Sequence, residues 1–317
     1  MKLNLKPIKN KKIITVTLNP AIDRRWIMKD FQVNKVNRVA SVIDSAGGKG
    51  LNEARVLHTL GLNVVATGIL AGDSGKYFTK LITKEGIKHS FHYIPHGETR
   101  TCINMYDGVN KTQSEMLEPG PALTKNDTKD FVAHFKKIIK GAALVSLCGG
   151  IPKGIKPNIY VQLINICKAN HITVFLDTSG NNLKQGLTAL PDLVKPNVDE
   201  IAQLLNRKNF TVEEAVSFAK TQVNKGIKNF VLSLGGKGAL LLTKQGVDRA
   251  TPPKHQVVNT VGCGDTMVAG FIVGELLNLK NKDKLAFATA ISTQSSTTEG
   301  TAEIITSKID SCYPKIS

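Results

Sequence analysis

A carboxylate, Asp265, directly follows the short segment Gly262-Cys263-Gly264 and precedes a stretch whose composition predicts a helix. The two glycines allow a tight turn that points successive backbone N–H groups at one spot, and the N-terminus of the helix adds the positive end of its dipole there. Because such a spot attracts anions, a carboxylate beside it can take the proton of a hydroxyl group that attacks a phosphoryl group. The alternative interpretation is that Asp265 only caps the helix.

The segment around Asp265 resembles the signature of the ribokinase-like sugar kinases, the PfkB family, whose pattern is glycine, any residue, glycine, aspartate. The resemblance implies that Asp265 is the catalytic base. It also implies that the amides of Gly262, Cys263 and Gly264 stabilise charge on the phosphoryl group during transfer. The implied fold is a doubly wound α/β fold, in which helices flank a mainly parallel sheet and a small β-sheet forms a lid.

Length and composition fit a globular α/β protein. With 317 residues, 41% of them apolar, the chain can form one large α/β domain or two ordinary ones. It has no apolar run of the roughly 18 residues that a membrane-spanning helix needs, and no apolar signal region follows the basic segment 1–12. We therefore expect a cytoplasmic protein with no membrane partner. The five scattered cysteines predict free thiols rather than disulfides or a zinc site.

The charge balance narrows the choice of partners. An excess of 42 basic over 25 acidic residues gives a net charge of +17, which suits nucleic acid but also small polyanions such as ATP and sugar phosphates. The lysines are dispersed and aromatic residues make up only 5% of the chain, so we expect no nucleic-acid partner. A basic RNA-binding protein stays as an alternative, with salt-dependent RNA binding as its mark. A nicotinamide oxidoreductase is disfavoured because no strand-linked Gly-x-Gly-x-x-Gly is present.

Strand-like and helix-like segments alternate along the chain, which predicts the doubly wound sheet. Two short strand-like stretches interrupt this alternation and resemble the excursions that build the lid of the family. We predict a single domain over residues 1–317, with lid insertions at about 24–45 and 89–118. The predicted strands are 13–18, 64–70, 143–147, 173–176, 229–234 and 239–243, and the predicted helices are 52–60, 74–85, 124–140, 157–169, 198–206, 212–225, 265–279 and 285–296.

Asp23 follows the first predicted strand, at the edge where α/β sheets bind ligands, although an Asx turn is an equally plain interpretation. The motif 18–23 resembles the opening motif of the phosphofructokinase branch, in which this aspartate holds the sugar. The glycine run before the next helix allows a ligand to approach the backbone closely. It matches the first signature of the family, which assigns substrate binding to Gly48, Lys49 and Asn52.

Two of the arginines in the predicted lid, Arg38 and Arg100, are candidate site residues. Arginine suits bidentate phosphate capture, and the branch of the family that phosphorylates sugar phosphates resembles this chain in carrying Thr-Arg at the lid, which here includes Arg100. Arg38, in the first excursion, is predicted to reach into a closed site. For both side chains, the alternative is a solvated surface arginine.

Lys195-Pro196-Asn197, with Glu200 three residues later, resembles the magnesium and nucleotide-phosphate motif of the family, and in that interpretation Glu200 acts through the water shell of Mg²⁺. A capping box is the alternative. The glycine-rich segment 233–239 resembles the loop that holds the phosphates and ribose of ATP, and a hairpin is its alternative. The resemblance assigns nucleotide binding to Lys195, Asn197, Ser233, Gly235 and Gly238, and backbone ligands of a monovalent cation such as K⁺ to Asn259, Val261 and Gly300.

The implied reaction is transfer of the γ-phosphoryl group of Mg-ATP to a ketohexose monophosphate. The motifs are closest to the branch that contains tagatose-6-phosphate kinases and 1-phosphofructokinases, but they do not separate tagatose 6-phosphate from fructose 1-phosphate or fructose 6-phosphate. Gly150 replaces the serine that the family usually has in its Gly-Ser-Leu-Pro motif, which leaves the acceptor open. Because strand-rich excursions would leave one face exposed, we also predict a homodimer that pairs through the lid.

Overall fold

Two β-sheets are formed by residues 3–317, the part of the chain that the computed structural model of the protein describes, with eleven strands in the larger sheet and four in the smaller. The strands are β1 (Lys12–Thr17), β2 (Ala21–Met28), β3 (Ser41–Gly47), β4 (Val64–Ala71), β5 (Lys88–His89), β6 (His92–Ile94), β7 (Arg100–Asp107), β8 (Thr112–Leu117), β9 (Ala142–Cys148), β10 (Thr173–Asp177), β11 (Leu193–Val194), β12 (Asn229–Ser233), β13 (Ala239–Thr243), β14 (Gly246–Thr251) and β15 (Lys315–Ile316).

Helices cover both faces of the larger sheet. The α-helices are α1 (Lys49–Thr59), α2 (Gly72–Lys84), α3 (Lys125–Ile138), α4 (Ile159–Ala169), α5 (Gly180–Leu187), α6 (Val198–Leu204), α7 (Val212–Lys225), α8 (Cys263–Leu276) and α9 (Asn281–Ser295), and the 3₁₀ turns are Lys6–Ile8, Gly235–Lys237 and Thr306–Cys312. One hydrophobic core lies between the sheet and α1, α2, α8 and α9, and the other lies between the sheet and α3 to α7. None of the helices in residues 3–317 is long and apolar enough to span a bilayer.

The larger sheet runs in the order β15-β14-β13-β12-β11-β10-β9-β1-β4-β5, and β6 also pairs with β4. The strands from β1 to β12 in this sheet run parallel to one another, whereas β13 is antiparallel to β12, β14 to β13 and β15 to β14. The chain proceeds from β1 to one side, through β4, and later to the other side, through β9. This reversal is the point at which doubly wound sheets bind ligands. The predicted fold class is thereby confirmed.

The parallel strands are apolar because both of their faces are covered. Ile13, Ile14 and Val16 of β1 are completely buried, and alternate residues enter opposite cores. Helix α8 is buried over residues 265–274, and Gly270 lets it approach α9 closely, since a Cβ at Gly270 would lie 2.5 Å from the Cα of Ala288. This packing fixes the position of α8, whose N-terminus carries the Gly-x-Gly-Asp segment.

The smaller sheet, which we call the lid, has the order β3-β2-β7-β8, with β2 and β7 parallel. The predicted lid segments are only partly right. The lid begins at Ala21, within the motif that contains Asp23, and β5 and β6 of the predicted second insertion join the larger sheet beside β4. Ile94 is buried there, so its apolar pattern serves the main core. A strand pattern does not show which sheet a strand will join.

The remaining differences lie at element ends and in short elements. Helix α1 begins at Lys49 and α9 at Asn281, in both cases earlier than predicted. Helix α5 and strands β14 and β15 were absent from the predicted elements, and β14 is largely exposed, so it lacks the apolar pattern of a buried strand. The predicted free thiols are confirmed for all five cysteines. The single domain over residues 1–317 stays a prediction.

Candidate active site

The candidate site forms where the C-terminal ends of β1, β10 and β11 meet the N-termini of α1 and α8. Gly48 precedes α1 with a φ of 118°, and a Cβ there would lie 2.7 Å from the Thr17 Cγ2 atom at the end of β1. The first turn of α1 therefore rests directly on the strand. This close approach brings Lys49 and Asn52 to the C-terminal edge of the sheet, at the point where the strand order reverses.

Asp265 lies in the first turn of α8, and only 6% of its surface is exposed. The helix cap is Gly262, in the left-handed conformation with a φ of 81°, so the interpretation of Asp265 as a cap is wrong. Instead, the Asn52 Nδ2 atom donates a hydrogen bond to the Asp265 carboxylate at 2.7 Å. Burial raises the pKa of Asp265 to about 6, although Lys49 opposes this shift. The carboxylate is thus ionised at neutral pH but ready to accept a proton.

Two lysines converge on one buried carboxylate beside Asp265. The Asp177 Oδ1 atom lies 3.3 Å from the Lys49 Nζ atom and 3.6 Å from the Lys195 Nζ atom. Burial by itself raises the pKa of Asp177, but the two ammonium groups outweigh it and hold that pKa below its ordinary value. Asp177 is not among the predicted site residues, although its position directly after a predicted strand is a usable signal.

The Gly-x-Gly segment of α8 fits against this charged cluster. A Cβ at Gly264 would lie 3.2 Å from the Lys195 Nζ atom, so glycine lets the ammonium group lie against the first turn of the helix. Burial raises the pKa of the Cys263 thiol to about 11 and keeps it neutral, and the Cys263 amide donates to the Thr260 carbonyl oxygen at 3.2 Å. The positive end of α8 and two lysines therefore surround one spot, which is an environment for a multiply charged anion.

Asp23 and Arg100 lie together where the lid joins the larger sheet. Asp23 belongs to β2 rather than to a turn, and its carboxylate lies over Gly47, where a Cβ would be 2.0 Å from the Asp23 Oδ2 atom. Burial raises the pKa of Asp23 to about 6, with Arg100 as the main opposing charge. Arg100 donates from Nε to the Asn19 carbonyl oxygen at 3.2 Å and from Nη1 to that of Glu118 at 3.3 Å. These bonds fix the guanidinium beside Asp23.

Arg38 is not brought to the other predicted residues. It is exposed and lies in segment 29–40, which joins β2 to β3 at the end of that hairpin away from Asp23. Within this chain, Arg38 is therefore a surface arginine, as the alternative interpretation had it.

The two segments that are predicted to bind the nucleotide, one with Asn197 and one with Ser233, adjoin each other. The residues of the first segment also have a structural role at the start of α6. Asn197 and Glu200 form the capping box of α6, with bonds of 2.7 and 2.9 Å, so that alternative is confirmed. The second Glu200 oxygen lies 3.9 Å from the Lys49 Nζ atom, toward the charged cluster. Asn197 also bridges to Ser233 at the end of β12.

The glycine-rich loop that follows Ser233 is the predicted hairpin, because a 3₁₀ turn joins β12 to the antiparallel β13. Gly235 and Gly238 have positive φ values of 57° and 89°, and a Cβ at Gly238 would lie 1.9 Å from the carbonyl oxygen of Ala250.

The residues predicted to bind a monovalent cation lie in two segments that are in contact. The Asn259 Nδ2 atom donates to the Glu299 carbonyl oxygen at 3.0 Å, and the Val261 amide donates to the Asn259 Oδ1 atom at 3.0 Å. Gly300 adjoins Glu299, and its amide donates to the Glu303 carboxylate at 3.2 Å. Within residues 3–317, no group of three or more histidine, cysteine, aspartate or glutamate side chains has the arrangement of a metal site.

A further buried carboxylate, Glu53, lies beneath the site on α1. It accepts a hydrogen bond from the Cys148 thiol at 3.0 Å, and burial raises its pKa to about 8. Within residues 3–317, the Glu53 Oε2 atom is one of the buried side-chain oxygens that have no hydrogen-bond partner. Glu53 is not among the predicted site residues, because nothing in its local sequence distinguishes it from the exposed acidic residues of a helix.

Comparison with known proteins points to one family. Residues 16–308 match the family described as pfkB family carbohydrate kinase. Over 308 residues the chain is 34% identical to tagatose-6-phosphate kinase from Staphylococcus epidermidis, a match that covers 96% of this chain and 98% of that protein. It is also similar to a crystal structure of phosphofructokinase-2 from Escherichia coli in complex with potassium, with a TM-score of 0.89, 26% identity, and coverage of 96% of this chain and 98% of that one.

A further solved structure, described as a possible 1-phosphofructokinase from Thermotoga maritima, has a TM-score of 0.85 and 27% identity, and the match covers 96% of this chain and 99% of that one.

The buried Glu53 predicts a specific dependence of stability on pH. Its pKa is about 8 in the folded protein against an ordinary value of 4.5, so between these values the folded state holds a proton that the unfolded state releases. The contribution of Glu53 to the free energy of unfolding is therefore greatest below pH 4.5 and falls as the pH rises toward 8. Glu53→Gln, which cannot ionise, removes this dependence.

We expect the melting temperature of Glu53→Gln to gain several degrees on that of the wild type as the pH rises from 5 to about 8.5, as measured by calorimetry. Glu213→Gln, at an exposed position of α7, is the matched control and should show no such trend. A difference between Glu53→Gln and the wild type that is the same at every pH would contradict the assignment of a neutral, buried carboxyl group.

Proposed function

The chain belongs to the pfkB family of carbohydrate kinases, and from this premise we propose that it transfers the γ-phosphoryl group of Mg-ATP to a hydroxyl group of a ketohexose monophosphate. The products are the ketohexose bisphosphate and ADP. The observation that carries the proposal is the buried Asp265 carboxylate at the N-terminus of α8, next to the ammonium groups of Lys49 and Lys195. Phosphoryl transfer needs a positioned base together with positive charge around the transferring group.

Asp265, the segment 262–264 and Lys195 have separate roles in this reaction. The hydroxyl oxygen of the sugar attacks the γ-phosphorus, the bond from that phosphorus to the bridging oxygen of ADP breaks, and the hydroxyl proton passes to Asp265. The amides of Gly262 and Gly264 stabilise the charge that spreads over the phosphoryl oxygens, since preorganised donors act strongly in a buried site. The Cys263 amide, which was predicted to join them, already donates to the Thr260 carbonyl oxygen at 3.2 Å. Lys195, held against Gly264, adds a positive charge at the same place.

The sugar phosphate binds under the lid. Asp23 accepts hydrogen bonds from sugar hydroxyls, and Arg100 binds the phosphate that the acceptor already carries. Gly48 and Asn52 complete this side of the site. Lys49 lies beside Asp177 and Glu200 in the charged cluster, on the side of the transferring phosphoryl group. Support comes from the anchoring of Arg100 beside Asp23 and from the relative at 34% identity, which is a tagatose-6-phosphate kinase. Gly150 has open space around it, so a phosphate can approach its backbone without the usual serine.

The nucleotide binds against Lys195, Asn197, Ser233 and the loop that contains Gly235 and Gly238. Glu200 fits Mg²⁺ as an oxygen ligand acting through water, because one of its carboxylate oxygens faces the charged cluster while the other caps α6. Bound with ATP, Mg²⁺ supplies charge neutralisation of the phosphates. Backbone oxygens of Asn259, Val261 and Gly300 are the proposed ligands of K⁺, which agrees with the contact between these segments. The cytoplasmic location stays a prediction.

A homodimer is part of the proposal, because one face of the lid is open. The strand registers place Asp23, Ile43 and Leu117 on the same face. Ile43 is 53% exposed and Leu117 is 64% exposed. A second lid placed on this face would cover these apolar side chains and exclude water from the sugar site at the same time.

The role of Asp265 is tested by substitution and by pH. Asp265→Asn should lower kcat by roughly 10²–10⁴ with little change in ATP binding, because it removes the base but keeps the volume of the side chain. In the wild type, kcat/KM should fall with decreasing pH below about 6, as Asp265 and Asp23 become protonated. Coupled ADP-release assays measure both. Near-normal turnover of Asp265→Asn would remove this residue as the base.

The phosphate of the acceptor is tested at Arg100. A charge-assisted contact contributes about 1.5–3 kcal/mol, so Arg100→Ala should reduce kcat/KM for the sugar phosphate by roughly 10- to 150-fold. Activity toward free tagatose or fructose should hardly change. The assays should compare tagatose 6-phosphate, fructose 1-phosphate and fructose 6-phosphate, with Arg207→Ala as a surface control. A wild type that prefers an unphosphorylated sugar, with Arg100→Ala equally active, would contradict this acceptor class while leaving the kinase assignment intact.

If the lid forms the dimer interface, lysines introduced on its open face should prevent dimerisation. The wild type should be a dimer by light scattering at micromolar concentration, and the double variant Ile43→Lys/Leu117→Lys should be a monomer with reduced activity, because buried lysines are strongly unfavourable. Val247→Lys, at a partly exposed position of β14 outside the lid, is the matched control and should remain dimeric. A fully active monomeric wild type would refute pairing through the lid.

A further inference from the structure

Asn52, whose side chain donates to Asp265, is itself held by a neighbouring arginine. The Arg55 Nη1 atom donates to the Asn52 Oδ1 atom at 2.9 Å, and the Asn52 Nδ2 atom donates to Asp265 at 2.7 Å. Arg55 lies one turn after Asn52 in α1, so the bond between them is local, whereas the next bond reaches α8. The three side chains form a directed sequence of donors and acceptors that ends at the proposed base.

Arg55 is fixed on its other sides by Glu85 and by the lid. Its Nε and Nη2 atoms donate to the two Glu85 oxygens at 2.8 and 3.1 Å, and Nη2 also donates to the Ala46 carbonyl oxygen of β3 at 2.8 Å. Bidentate pairing of this kind defines the plane of a guanidinium group. The side chains of Arg55 and Glu85 are only 20% and 26% exposed, so solvent competes little with these bonds.

The side-chain amide of Asn52 can adopt two orientations, which differ by an exchange of its oxygen and its NH₂ group. Its oxygen can only accept and its nitrogen can only donate, while arginine can only donate and an ionised carboxylate can only accept. With Arg55 in place, the Asn52 oxygen must face the guanidinium and its NH₂ group must face Asp265. Among the hydrogen bonds of residues 3–317, the one from Arg55 is the bond that the Asn52 Oδ1 atom accepts. Without it, the oxygen end of the amide no longer selects this orientation over the flipped one, in which the amide oxygen would meet the carboxylate.

We propose that Arg55 is a positioning residue, which holds the Asn52 amide so that Asp265 stays ionised and correctly oriented as the base, with Glu85 as its anchor. This inference rests on the proposed function of Asp265 and extends it to two residues that lie outside the motifs described above. Because Arg55 also binds the lid strand at Ala46, the same guanidinium connects the lid with the environment of the base.

Other charged groups surround Asp265, and the test must separate Arg55 from them. A hydrogen bond to a carboxylate favours its ionised form, so loss of the amide donor should raise the pKa of Asp265 and move the acid limb of the pH profile upward. Arg55 also acts on Asp23 by its charge. The titratable groups that act on Asp265 or are acted on by it are Lys49, Glu53, Asp177, Lys195, Cys263 and Asp23.

The experiment compares pH profiles of kcat/KM for Arg55→Ala, Asn52→Ala, the double variant and Arg207→Ala. Arg207 forms an exposed pair with Glu214 at 2.9 Å and is the matched control for loss of an arginine. A shift of the acid limb by about one pH unit would lower kcat/KM of Arg55→Ala by roughly five-fold near pH 6 and leave it almost unchanged above pH 8. A purely structural role would lower activity equally at every pH.

The double variant identifies the route of the effect. If Arg55 acts through Asn52, the double variant should shift no further than Asn52→Ala alone, whereas an effect through Asp23 would add to it. Guanidinium ions at millimolar concentration should partly restore Arg55→Ala near pH 6, but not Arg207→Ala. An unchanged acid limb, or a full additional shift in the double variant, would overturn the proposal.

Glu85→Gln keeps the arginine and provides the test if Arg55→Ala does not fold. It should shift the acid limb in the same direction by a smaller amount, and an unshifted limb would overturn the proposal. The outcome is separable from that of the proposed function. If Asp265→Asn is inactive while the Arg55 and Glu85 variants keep the wild-type limb, only the positioning role fails. If Asp265→Asn is fully active, the base assignment fails, and the positioning role fails with it.

Discussion

A carboxylate that is removed from water but must remain ionised is the constraint on which this site depends. Burial of an isolated charge is expensive, and a protein ordinarily answers by neutralising the group or by pairing it. The structure does both in adjacent places. Glu53, with a weak thiol donor, has a pKa raised to about 8, whereas Asp177, between two lysines, has a pKa below its ordinary value. Asp265 lies between these extremes, with one amide donor and the charge of Lys49 to offset its burial.

The positive groups of the site are themselves held by negative ones. The ammonium groups of Lys49 and Lys195 repel each other, and the positive end of α8 adds to this repulsion. The carboxylate of Asp177, which contacts both lysines, offsets it. The arrangement keeps two cations in place before a polyphosphate arrives, so little reorganisation is needed on binding. It also explains why Asp177 is buried at the end of β10 rather than exposed: a screened carboxylate would hold the lysines only weakly.

The fold and the motif residues could be predicted from the sequence because both are local. Alternating strand and helix patterns identified β1, β4, β9, β10, β12 and β13, and the glycine signatures marked the starts of α1 and α8 to within about three residues. The missed residues depend on distant partners. Asp177, Glu53 and Arg55 gain their importance from side chains that the fold brings to them, such as Lys195, Cys148 and Glu85. The division of residues 88–117 between two sheets is likewise a tertiary choice that no local pattern states.

The bond between Asn52 and Asp265 joins residues that are 213 positions apart in the chain. Contacts between residues so far apart in sequence form late in folding, because the loss of entropy of the intervening chain must be overcome first. Synthesis from the N-terminus adds a further delay. The sugar side, made of the lid and α1, is complete in sequence long before α8 emerges from the ribosome. A nascent chain that stops short of residue 263 therefore holds most of the substrate contacts but no base and no α8 amides. Nascent chains that end before residue 263 are thus expected to be inactive.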